Sequence, residues 1–179
     1  MLDSVYHHLT VLGLASWPTL WVGYERRFIG RNEVIDFACD LLSTSANSHP
    51  AVTLLAGGET LDEIDFVEQL SSLARTDDPN LEDISVKQRE VDKWRLAMLV
   101  DLRDRHISED DRFQRLQDLY AEFNYPEDME KCSQYYISTT ERAASWTIGD
   151  RTENDPYKEM LLVIGQLESR LLKRSGGSK

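Results

Sequence analysis

The chain has 179 residues, of which 41% are hydrophobic and 29% charged, so one domain of this length can bury a core without disulfides or a structural metal. Its net charge of −12 repels phosphate backbones, which argues against direct binding of nucleic acid and favours basic partners. No run approaches the roughly 20 apolar residues of a membrane-spanning helix. The N-terminus carries Asp3 and the pair His7–His8 where a signal peptide would carry Lys or Arg, so a cytoplasmic location is expected.

Apolar residues recur three and four apart almost throughout, the helical period. Val5, Leu9 and Leu12 form a first short stripe, ended by Gly13. Trp17-Pro18 opens a second helix, with proline at the first position, and Leu20, Trp21 and Tyr24 are expected on its inner face. Gly30 interrupts the chain before Val34, Phe37, Ala38, Leu41 and Leu42, which fall on one face of a third helix. A polar loop follows from Ser43 to Pro50, and the run Val52, Leu54, Leu55 fits either a brief helix or a strand. Thr60 and Glu63 have capping-box spacing ahead of the buried stripe Phe66, Val67, Leu70, Leu73, Ala74.

The longest helix is expected from about Ile84 to His106, with Ile84, the Lys87 stem, Val91, Trp94, Met98 and Leu102 inward. Ser108 and Asp111 mark the start of another, carrying Phe113, Leu116, Tyr120 and Phe123. Tyr125 is pushed out of the helical region by Pro126, which begins a helix bearing Met129, Cys132 and Tyr136. Residues 138–154 lack a pattern. Asp155-Pro156 then caps a last helix packed through Met160, Leu161, Ile164, Leu167 and Leu171. The reading is an all-α, single-domain bundle of about seven to eight helices over residues 1–172, with a flexible tail at 173–179. Cys39 and Cys132 sit at helical spacing among apolar residues and are expected to be reduced core residues.

Chemistry-bearing motifs are missing from the sequence. It has no phosphate-binding glycine loop, G-x-S-x-G elbow, H-E-x-x-H pair or calcium-loop spacing. His7 and His8 are adjacent and diverge by about 100° on a helix, and His106 at a helix end is explained by the helix dipole. No catalytic residue, metal ligand or cofactor is therefore expected. The charge is concentrated instead. Residues 59–83 hold nine acidic groups against the single base Arg75, a net of −8. Within them Asp62, Asp65 and Glu68 stand at three-residue spacing on one helix edge, with Asp77 and Asp78 at the turn that follows. These five are the expected partner-binding residues, although a solvated face would look the same in the sequence. Trp17 and Trp146 are irregularly placed and fit either loop packing or an exposed anchor.

Two stretches carry a resemblance. Trp21-Val22-Gly23-Tyr24, followed by the helix Asn32–Leu42, and Leu119-Tyr120-Ala121-Glu122-Phe123-Asn124-Tyr125-Pro126-Glu127-Asp128-Met129, together with the helix around Trp94, resemble a bacterial family defined only as a domain of unknown function. The resemblance implies a helical fold and, by association, an immunity protein beside polymorphic or contact-dependent growth-inhibition toxins. Such a protein blocks its cognate toxin domain, here expected to be a basic nuclease, stoichiometrically and without catalysis. An acidic adaptor for another basic partner, or a hydrolase with a carboxylate-held metal, are the alternative readings.

Overall fold

Helix follows helix, as the apolar periodicity requires, and the described residues contain no strand. The computed structural model describes residues 2–44, 49–133 and 155–172. Residues 138–154, Tyr136, Trp146 and the tail 173–179, about which the sequence raised expectations, lie outside them. The chain forms two compact units, Met1–Ala97 and Met98–Lys179.

The first unit holds α1 (Leu2–Val11), α2 (Trp17–Glu25), α3 (Arg31–Thr44), α4 (Pro50–Ala56), a 3-10 turn at Gly58–Thr60, α5 (Glu63–Asp77) and the beginning of α6 (Ile84–Asp104). Helix α2 packs on α5, and α4 packs on both α3 and α5. Leu9, Leu20, Val34, Leu55, Phe66, Leu70 and Trp94 are buried completely between them. Trp94 fixes the centre. Its indole Nε1 donates to the Thr19 carbonyl at 2.7 Å, and its ring lies so close to Gly23 that a β-carbon there would clash with Cζ2. The glycine of the W-V-G-Y stretch is thus a packing requirement of α2 against the tryptophan.

The second unit contains the remainder of α6, then α7 (Glu109–Glu122), a 3-10 helix at Glu127–Cys132, and α8 (Pro156–Leu171). The 3-10 helix packs against α7 and α8 and buries Met129 and Cys132. Ser108 caps α7 by accepting from the Asp111 N–H, and Asp155 caps α8 by accepting from Tyr157 and Lys158, as the sequence led us to expect.

The run Val52, Leu54, Leu55, open between helix and strand in the sequence, is helical, capped by the His49 Nδ1, which accepts from the Ala51 N–H. Several expectations are corrected. Thr60 does not form a capping box with Glu63. It closes the 3-10 turn by donating to Gly57, and Asp62, two residues later, caps α5 by accepting from Asp65 at 2.8 Å. Pro126 leads into a 3-10 helix, not an α-helix. Trp17 is buried edge-on against Phe37, so it is not an exposed anchor. Ile84 and Leu161 are exposed rather than inward, and Cys39 is exposed while Cys132 is buried.

Candidate functional site

Helix α5 is amphipathic for an ordinary reason: Phe66, Leu70, Leu73 and Ala74 recur at helical spacing and turn one face into the first unit. The opposite edge then points outward. Asp62, Asp65 and Glu68 are all exposed on it, and among the described residues none of the three makes an ion pair. The reason is visible in the sequence. The positions three and four residues after each of them hold no Lys or Arg (Asp65 and Phe66, Glu68 and Gln69, Ser71 and Ser72). Ile64, 78% exposed, stands among these carboxylates. An apolar side chain ringed by unneutralised charge has the form of a small protein-docking anchor.

Asp77 and Asp78 do not extend this edge. Helix α5 is 15 residues long, so they stand about 22 Å from Asp62, at its other end. Asp78 accepts from Arg89 at 3.0 Å and from the Asn80 N–H at 3.1 Å, both within the first unit. Asp77 accepts from the Trp17 N–H, and burial around its carboxylate raises its pKa against that contact. Both act as links of the fold, and the expected five-residue surface divides into a free trio and a committed pair.

On the side of α5 next to Ile64 the structure holds a cleft of 440 Å³ that sequence reading did not find. Its walls come from separated segments: Trp21, Tyr24, Glu25 and Arg27 at the end of α2, Ile29 to Arg31 at the start of α3, and Glu63 and Val67 of α5. Trp21 and Tyr24, expected in the core, are half-buried here because they line this space. Tyr24 donates to Glu63 at 2.6 Å. Partial burial, then the bond to Glu63 and its negative charge, push the phenol up to about 12, so it remains a donor at neutral pH. Arg31 lies over the Phe66 ring, 4.3 Å from its centroid, and donates to the Leu61 and Asp62 carbonyls. Arg27 has no such commitment: among the described residues its side chain makes no hydrogen bond or ion pair.

A second space, of 420 Å³, lies between α1 and α3, lined by Tyr6, His7, Thr10, Asp36, Cys39 and Asp40. Burial, then Asp40, Asp36 and Glu33 in turn, push the Tyr6 phenol up to about 12. Among the described residues no three His, Cys, Asp or Glu side chains gather in an arrangement that could hold a metal ion, and no helix is long and apolar enough to cross a membrane.

A family model matches residues 10–161, from the end of α1 into α8, and includes both stretches that carried the resemblance. The chain belongs to DUF2247, a family of uncharacterized proteins conserved in bacteria. No curated protein and no solved structure matches it. Within this DUF2247 chain the α5 edge is an exposed charged surface without internal ion pairs, and a cleft lies beside it.

Proposed function

We propose that this DUF2247 protein is a non-catalytic immunity protein that binds and neutralises the basic toxin domain of the same cell. The observation that supports the reading is the α5 edge: Asp62, Asp65 and Glu68 exposed without cation partners, around an exposed Ile64. Carboxylates that the fold does not use cost little to keep in water, and they speed encounter with a basic surface. Ile64 then supplies the dry contact that long-range charge cannot. A toxin domain that binds nucleic acid is basic for its own reasons, because it must neutralise phosphates. Inhibition by coverage needs no reactive group in the inhibitor.

The test is co-expression with the toxin domain encoded beside this chain, followed by size-exclusion chromatography and a toxicity assay. A 1:1 complex that silences the toxin is expected. Replacing Asp65→Lys and Glu68→Lys, with Asp62→Asn to retain the helix cap, should weaken the complex at least tenfold and slow association. Separate elution with an active toxin would remove the immunity reading. A complex unaffected by the triple substitution would move the contact surface off α5.

A further inference from the structure

Three helices of this chain end in the same hydrogen-bonded turn. At the end of α1, Gly13 N donates to Thr10 O at 2.9 Å and Leu14 N to Leu9 O at 3.0 Å. At the end of α7, Asn124 N donates to Ala121 O at 2.9 Å and Tyr125 N to Tyr120 O at 2.8 Å. At the end of α2, Arg27 N donates to Tyr24 O at 3.0 Å and Phe28 N to Gly23 O at 2.8 Å. These turns hold residues in the left-handed region, with φ of 67° at Gly13, 61° at Arg27, and 61° and 57° at Asn124 and Tyr125, the last with its ring edge-on against Tyr120 at 5.2 Å. Glycine takes that conformation freely and asparagine tolerates it, whereas arginine meets a steric cost and gains nothing locally. Arg27 makes no internal contact through its side chain that would offset this cost. Arg27 lines the cleft between α2, α3 and α5.

We infer that this cleft binds a carboxylate carried on an apolar stem, with Arg27 as its principal ligand. The cleft's own carboxylates are already engaged, Glu63 by Tyr24 and Arg31, and Glu25 by Lys87 at 3.9 Å, so the uncommitted charge is the guanidinium. Guanidinium and carboxylate match as a bidentate pair. Arg31 lines the same space and adds a second positive charge to its wall. Trp21, Ile29 and Val67 provide the apolar wall for the stem. A single negative charge suits the site better than a phosphate dianion, because Glu25 and Glu63 flank it and the whole chain carries −12. The cleft's volume is that of a small-ligand site. The inference is independent of whether α5 docks a toxin.

The experiment is an NMR titration of the Trp21 indole and Arg31 Nε resonances in the full chain. Four probes are used: 3-phenylpropionate, its amide, and the peptide Gly-Gly-Gly-Phe with a free and an amidated C-terminus. The acids are expected to shift both resonances saturably, and the amides to bind at least tenfold more weakly. Tighter binding of the peptide acid would identify a polypeptide C-terminus as the source of the carboxylate, and tighter binding of 3-phenylpropionate a small acid. Arg27→Gly should reduce acid binding at least tenfold while raising Tm by about 2–4 °C, since it relieves the left-handed position. Arg27→Lys should retain part of the affinity. Equal binding of acids and amides, no binding of either, unchanged binding by Arg27→Gly, or a lowered Tm in that variant would each overturn the proposal.

Discussion

Helices α5 and α6 are both rich in charge, and they use it in opposite ways. On α6 the charged residues Glu90, Asp92, Arg95 and Asp101 are buried, and each has an ion-pair partner about one turn away along the chain. Glu90 accepts from Lys93 at 2.6 Å, Asp92 pairs with Arg95 at 3.1 Å, and Asp101 pairs with Arg105, each three or four residues along. On α5 the trio Asp62, Asp65 and Glu68 is exposed, and the matching positions carry no cation. The contrast teaches that the amount of charge on a helix says little about its role. Spacing matters: a carboxylate with a cation one turn away can be taken into the fold as an ion pair, and one without it needs another donor, as buried Glu33 has in the Gly30 N–H at 2.9 Å, or faces water.

Removing a buried partner on α6 gives the largest expected effect. Glu90 Oε2 accepts from both Lys93 and the Thr19 hydroxyl at 2.6 Å, and Oε1 accepts from Arg89 at 3.1 Å. Glu90→Ala leaves Lys93 and Thr19 without this acceptor inside the first unit. It should lower stability by about 3 kcal/mol in urea unfolding. A loss below about 1 kcal/mol would mean that the α6 charges are as dispensable as surface pairs.

Gly23→Ala comes next, and it tests how tightly α2 is held against α6. Alanine gains about 1 kcal/mol over glycine in a helix interior. Here its β-carbon would clash with a Trp94 ring anchored by its bond to Thr19, so the ring or α2 must shift. Overpacking of this kind costs about 1–3 kcal/mol, leaving a net loss of about 1 kcal/mol in urea unfolding. A net gain would show that the α2 packing yields.

The charge substitutions on the α5 edge should change stability by no more than about 0.5 kcal/mol, even where they abolish binding. Thermal unfolding of the triple variant checks this. A large loss would place α5 with α6, as a helix whose charges hold the fold.

Much of this architecture is legible in the sequence. The caps at Ser108 and Asp155, the stop at Gly13 and the core stripe of α5 follow from local spacing, and the structure has each of them. The α5 edge was legible for the same reason, being a property of one helix. The cleft was not, since Trp21, Arg27, Arg31 and Val67 meet only when three segments pack. Arg27 was hidden further, because a left-handed cap is expected at glycine or asparagine, and Gly30 three residues on drew the boundary instead. The capping box was misplaced because Thr60–Glu63 and Asp62–Asp65 both have cap spacing, and the 3-10 turn at Gly58–Thr60 uses up the first.

Asp77 provides the smallest and most discriminating effect, because it lies on α5 yet behaves like a residue of α6. Although the residue is exposed overall, burial around its carboxylate raises its pKa, and the bond from the Trp17 N–H only partly offsets this. A carboxyl whose pKa is raised in the folded state binds its proton more readily there than in the unfolded chain. Its contribution to stability is therefore fully present below the unfolded pKa and is lost as pH rises through the folded one. Asp77→Asn keeps an oxygen to accept from Trp17 and removes the desolvated charge. The variant should melt slightly above the parent at pH 7, and the two should converge as the pH falls through the carboxylate range. A variant that melts lower at pH 7 would mean that the charge is favoured by its contact with the start of α2. A difference that does not change with pH would mean that Asp77 is solvated like Asp65 and Glu68, and it would return the residue to the free edge from which the structure separates it.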